Sequence, residues 1–382
     1  MSPVRSSIAC NLDANILLAA LPLLEAGQVQ AIEWSFDTLL AAGQMPGWFA
    51  ELLAAFGREN RLIGHGVFFS LFAGKWTPAQ QAWLDRLKTL AATYRFDHVT
   101  EHFGFMTGAD FHKGAPISVP FTPTTLALGR DRLLRIHDAC RCPVGLENLA
   151  FSYSLDEVRR HGDFLDQLLE PVNGFMILDL HNLYCQVRNF GVEADALLSL
   201  YPMGRVREMH LSGGSWSDSR VDPTRKIRRD THDDAVPPEV FALLESTLGQ
   251  CPNLKYVVLE QLGSGLATEE SRAAFREDFL TMDRIVQRHP GGTAGGLPEA
   301  FLPLRPTVLA PVPPEDPQLH AQQVALYTIL ETAADCAQAQ TLLRASDLAR
   351  SDWHVEQWEP AMLETALAIA QKWKDGFKPR RA

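Results

Sequence analysis

His65, His102, Glu147, Asp179, His181, His210, Asp230, His232 and Glu260 are the residues of this sequence whose types and settings suit chemistry. Most of them close a short apolar run, as in Leu62-Ile63-Gly64-His65 or Phe175-Met176-Ile177-Leu178-Asp179. Asp230 and His232 stand two apart in a loop, as Asp230-Thr231-His232. One histidine in such a place is ordinarily a hydrogen-bonded structural residue, and Asp179 with His181 alone would read as a buried pair. The pattern recurs along the chain, and that recurrence calls for another explanation. Carboxylates gathered in one place repel one another unless cations neutralise them. Mixed imidazole and carboxylate donors suit iron, zinc or manganese better than magnesium or calcium. No thiolate belongs to the set, so a structural zinc site is not indicated. Nine donors exceed what one ion can take, so two or three ions are expected. Asn182, directly after His181, is a tenth candidate, with turn-making as its other role.

Elements must bring these residues together. Apolar runs at 7–11, 30–35, 61–68, 97–103, 143–149, 174–181, 206–212 and 255–262 read as strands buried on both faces. Amphipathic stretches lie between them, at 15–25, 46–56, 78–94, 124–140, 154–169, 194–200 and 237–249. Asp13 offers a cap to the first, and Ser154 with Glu157 has the spacing of a capping box. Eight strand–helix alternations predict a (β/α)8 barrel. The candidates then sit at strand ends that open on one rim. A doubly wound sheet is the next choice, but no Gly-x-Gly-x-x-Gly follows any strand. The barrel is expected over 1–289, a Pro/Gly-rich linker over 290–317, and a helical extension over 318–382. Phe301, Leu302 and Leu304 suggest that part of the linker lies on the barrel.

Composition narrows the function. The net charge of −11 argues against general binding to nucleic acid. No apolar run is long enough to cross a membrane, and the N-terminus lacks the apolar stretch of a secretory signal. Six scattered cysteines fit reduced thiols and a cytoplasmic setting. Around the predicted rim, Glu33 is placed to orient a ligating histidine from the barrel interior, and Asn148, directly after Glu147, to do likewise. Glu101 points opposite to His102. Arg225, Arg228 and Arg229 make the loop before Asp230 basic, suited to an acidic peptide or a phosphate.

Several of these segments resemble a known family. They are His65-Gly66, the Glu101-His102 pair, Val119 to Thr124, Leu146-Glu147-Asn148, Leu178-Asp179-Leu180-His181-Asn182, Glu208-Met209-His210-Leu211-Ser212-Gly213 and Asp230-Thr231-His232. In order and placement they resemble the multinuclear non-haem iron-dependent oxidative enzymes, which include the methanobactin oxazolone-forming enzyme and relatives acting on peptide cysteines. The resemblance covers roughly residues 30–265. It departs at the first strand, at His181 where the family has asparagine, and after Glu260, where Gln261-Leu262 replaces its Trp-Asp. What it implies is a centre of two or three iron ions in mixed Fe(II)/Fe(III) states, with O2 as co-substrate. The reaction implied is oxidative modification of a cysteine, or a residue near it, in a ribosomally made precursor peptide. A partner protein that presents the peptide is also implied. The same rim looks like trinuclear-zinc endonucleases and, more loosely, xylose-isomerase-like enzymes, which stand as the alternatives.

Overall fold

The computed structural model describes residues 4–38, 45–108, 113–289 and 300–376. Eight parallel strands close into a barrel: β1 (Arg5–Ala9), β2 (Ala31–Trp34), β3 (Leu62–Gly66), β4 (His98–His102), β5 (Val144–Glu147), β6 (Phe175–Asp179), β7 (Val206–Leu211) and β8 (Tyr256–Leu259). The ring closes where Arg5 of β1 pairs with Tyr256 of β8. Alternation along each strand sends one set of side chains inward and the other into the helix layer. In β7, Val206, Met209 and Leu211 join the large outer core, while Glu208 and His210 face the interior. Ala9, Ala31, Ile63, Tyr256 and Val258 form a small separate apolar cluster. The predicted (β/α)8 architecture is the observed one.

The expected strands all form, trimmed at their ends. The difference that matters lies after β6. The strand stops at Asp179, whose carboxylate accepts the Asn182 N–H at 2.6 Å and so caps the helix Leu180–Phe190. His181 and Asn182 are therefore delivered by a first helical turn, and Asp179 and His181 are not same-face neighbours on one strand. The apolar pattern runs unbroken from Leu178 into Leu180 and Leu183, which hid the change of period. Of the expected caps, Asp13 accepts from Asn15 and Ile16. Thr77 and Thr122 make complete capping boxes that were not expected from the sequence. Ser154 accepts the Glu157 N–H, but the Glu157 carboxylate takes the Tyr153 N–H at 2.8 Å and leaves the box open.

Beyond the barrel, residues 290–299 of the expected linker lie outside the described residues. Phe301 is buried against Phe175 and beneath the Arg207 guanidinium, at the start of β6. The chain then climbs the barrel flank, where Arg135 and Arg132 donate to the carbonyls of Ala310 and Pro314. Three helices follow: Pro317–Thr332, Cys336–Ala345 and Pro360–Trp373. They settle on loops leaving the carboxyl ends of the strands. Gln323 bonds both Gly74 and Phe72 after β3. Trp353 packs edge-on against Phe105 after β4. Trp358 stacks on Tyr153 after β5 at 3.7 Å. Glu359 and Glu364 hold Arg225 and Ser219 after β7. The extension thus walls one side of the rim where the candidate residues stand.

Candidate metal centre

His65, His102, Glu147, Asp179, His210, His232 and Glu260 converge in the barrel mouth. Three overlapping triads have their ligand atoms within 4.8 Å of one another: His65, His102 and Glu147; Glu147, Asp179 and His210; Asp179, His232 and Glu260. Sharing of Glu147 and Asp179 makes one connected cluster of them. A fourth triad, Glu33, Glu208 and His210, lies deeper in the barrel.

Hydrogen bonds fix which nitrogen each histidine offers. Thr100 donates its hydroxyl proton to Gly64 O, so its oxygen accepts from His65 Nδ1 at 2.8 Å. His102 Nδ1 donates to Gly66 O at 3.0 Å. Both rings therefore turn an Nε2 lone pair to Glu147 Oε2, 3.7 Å from His65 and 3.5 Å from His102. His210 is set the other way round. Its Nε2 lies 3.2 Å from Glu33 and 3.5 Å from Glu208, and its Nδ1 faces Glu147 and Glu260 at 3.7 and 3.5 Å.

Charges in the mouth are poorly matched by protein alone. Burial, then the neighbouring carboxylates, pushes Glu147 well above the usual carboxylate range, although His210 opposes it. Burial and Asp230 bring Asp179 up to about 6. Burial would also raise Asp230 and Glu260, but the adjacent histidines, His232 foremost, hold both below that range. His65 Nε2, Glu147 Oε2, Asp179 Oδ2, Asn182 Oδ1 and His210 Nδ1 are all buried with no hydrogen-bond partner. Orphaned lone pairs cost roughly 1–3 kcal/mol each unless something accepts them. Their shared direction and their mixed N/O chemistry fit metal cations.

The remaining candidates have other placements. His181 has both ring nitrogens engaged, Nδ1 with Asp230 Oδ1 at 3.0 Å and Nε2 with the Arg228 Nε–H at 3.0 Å. It braces Asp230 and is in none of the triads. Asp230 also stands 2.8 Å from His232 Nε2, between the two histidines. His232 holds a positive φ of 50°, a strained conformation for this residue, pinned by the Leu262 N–H on its carbonyl. Asn182 Nδ2 donates to Asn148 O and, at 3.3 Å, to Glu147 Oε1. Asn148 clamps both the N–H and the carbonyl of Asp179 rather than a histidine, and Glu33 lies 3.2 Å from His210 Nε2. Glu101 lies outside the barrel wall, bonded to the His102 N–H. Arg225 is tied to Glu359 and the Asn189 carbonyl, as a strap between loop and extension. Arg229 lies half-buried beside the extension. Gly214 lets this loop approach, since a Cβ there would meet Arg229 O at 2.2 Å and His181 Cε1 at 2.9 Å.

Glu208 was not singled out as a site residue from the sequence. Period two from His210 would have found it, since both must face inward. It takes His98 Nε2 at 2.7 Å, and His98 Nδ1 meets Asp97 at 2.9 Å. Arg207 and Lys255 complete this buried chain at the barrel floor.

A family model described as RiPP precursor modification enzyme MbnB/TglH/ChrH matches residues 27–263. A UPF0276 protein of Caulobacter vibrioides is 28% identical over 49% of this chain and 64% of its own length, so the match spans less than two thirds of that relative. A UPF0276 protein of Alcanivorax borkumensis is 24% identical over 61% of this chain and 79% of its own. Among solved structures, an L-ribulose 3-epimerase is similar with a TM-score of 0.47 and 13% identity, over 75% of this chain and 96% of that one. A xylose isomerase-like TIM barrel protein from Mycobacterium smegmatis has a TM-score of 0.46 and 13% identity, over 74% and 97%.

Proposed function

This chain belongs to the RiPP precursor modification enzyme family MbnB/TglH/ChrH, and from that membership we propose that it oxidatively modifies a cysteine, or a residue beside one, in a ribosomally synthesised precursor peptide. Two or three iron ions in the barrel mouth, in mixed Fe(II)/Fe(III) states, and O2 as co-substrate complete the proposal. The observation that carries it is the set of three triads joined through Glu147 and Asp179. Carboxylates shared in this way would hold ions close to one another.

Iron held there would supply redox chemistry toward O2 and a binding position for a thiolate. His65, His102 and Glu147 would hold one side of the cluster, Asp179, His232 and Glu260 the other, with His210 between them. Glu33 and Glu208 lie beside His210 Nε2 and leave its Nδ1 facing the mouth. Thr100 and Gly66 do the same for His65 and His102. Asn182 steadies Glu147, and Asp230 steadies His232. The C-terminal helices, seated on the rim loops, shape the approach of the peptide and offer a surface to a peptide-presenting partner. The catalytic unit is proposed to span 1–289, with 318–382 as an appended helical unit.

Metal analysis with visible spectroscopy of the protein purified without oxygen tests this reading. Iron, with a ligand-to-metal band that changes on adding a cysteine peptide, is expected. Colourless protein holding only zinc would overturn it in favour of the hydrolytic or isomerising alternatives.

A further inference from the structure

We propose that Arg228 binds a carboxylate of the substrate beside the metal cluster. The proposal deepens the reading of the substrate as a cysteine-bearing peptide, and rests on it. Arg228 ends the short strand Lys226–Arg228 and is only 6% exposed. Its backbone is fixed on both sides by the Asn189 amide, which donates to its carbonyl and accepts its N–H. Its guanidinium lies 5.6 Å from the Tyr184 ring and 5.4 Å from the Trp216 ring. Its Nε donates to His181 Nε2, an uncharged acceptor in that contact.

What is missing is an anion. Among the described residues no carboxylate pairs with Arg228, whereas Arg225, three residues before it, has Glu359. The nearest link to an acid runs through the His181 ring to Asp230. With no directly bonded anion among the described residues, the guanidinium relies on two aromatic faces, which give only part of what an ion pair would. The planar fork that remains, with no hydrogen bond from its Nη atoms among the described residues, matches a carboxylate in two-point contact. Its position is the second argument. One imidazole separates it from Asp230, which stands against His232 in the cluster. Trp216, 42% exposed, walls the outer side. A carboxylate seated on Arg228 therefore places the adjoining part of a peptide at the barrel mouth.

The carboxylate has two possible sources, the peptide C-terminus or an acidic side chain near the cysteine. Three probes separate them: N-acetyl-Ala-Cys as the free acid, the same dipeptide as its C-terminal amide, and N-acetyl-Asp-Cys as the amide. Binding is read by quenching of tryptophan fluorescence on the full chain as purified, kept anoxic so that no oxidation occurs. All three carry the same thiol, so differences report the carboxylate. At least one carboxylate-bearing probe is expected to bind about tenfold or more tighter than the amide without one. Preference for the free acid assigns the C-terminus, and preference for the Asp probe assigns a side chain. Arg228→Gln is expected to abolish the preference. Equal binding of the three to the native chain, or a preference that survives Arg228→Gln, would overturn the proposal. The native comparison needs no variant to fold. Because no oxidation is read, failure here leaves the iron-dependent reading to be judged on its own test.

Discussion

His210 Nε2 lies 3.2 Å from Glu33 Oε2, and this contact joins the two layers of the barrel interior. Above it, His210 Nδ1 faces Glu147 and Glu260 in the mouth. Below it, Glu208, His98 and Asp97 run down to Arg207 and Lys255 at the floor. Burial would lower His210, but Glu33, Glu208 and Glu260 raise it well above the usual histidine range. The ring is thus held by carboxylates from both sides, and only its mouth-facing nitrogen is left to a metal.

Glu208→Gln should destabilise the metal-free protein by roughly 2 kcal/mol, because His98 loses the carboxylate on its Nε2 and keeps only Asp97 on its Nδ1. Urea unfolding followed by circular dichroism measures it. A change below about 0.5 kcal/mol would show that the floor network does not support the fold.

Metal should stabilise the fold as well as serve chemistry. Carboxylates forced together without cations oppose folding, so Fe(II) added under anoxia should raise Tm by several degrees, and a chelator should reverse it. His65→Ala should weaken that metal binding about tenfold or more, since the His65, His102 and Glu147 triad loses a donor. Calorimetric titration of the two proteins reads the difference.

Acid stability should carry the mark of His161. Burial among Phe103, Phe121 and Tyr201 lowers its pKa to about 3. The unfolded chain, near the ordinary value of about 6.5, then binds the extra proton between those two values. Stability is full above about pH 6.5 and falls as the pH drops toward 3, by at most roughly 4 kcal/mol from this residue. His161→Phe should flatten that part of the profile of unfolding free energy against pH, relative to the native chain.

Trp358→Ala should cost about 3 kcal/mol through loss of the stack on Tyr153 and the cavity it leaves. Hydrogen exchange should speed up in the helix Pro360–Trp373 and also in the loop around Tyr153. Exchange confined to the helix would mean that the extension does not steady the rim.

The barrel was legible because each strand is a short apolar run followed by an amphipathic stretch, and because His65, His102, Glu147, His210 and Glu260 sit at or just beyond strand ends. Period two alone turns those residues to one mouth. His181 was harder. A capping bond from Asp179 ends the strand one residue before Leu180, and neither that bond nor the arginine on the imidazole has a signal in hydrophobic pattern. The basic loop looked uniform in sequence. Folding sorts it, giving Arg225 to the extension and Arg228 to the aromatic clamp. Glu208 was within reach by the same alternation that placed His210. The seat of the helical extension on the rim depends on contacts such as Gln323 with Gly74, between residues 249 apart, which no local pattern encodes.

Crystals grown and soaked with ferrous salt under anoxia, recorded at the iron absorption edge, test the central claim most directly. At least two anomalous peaks are predicted in the barrel mouth, within bonding distance of His65, His102, Glu147, Asp179, His210, His232 and Glu260. A mouth without anomalous density, or iron bound only elsewhere on the chain, would contradict it.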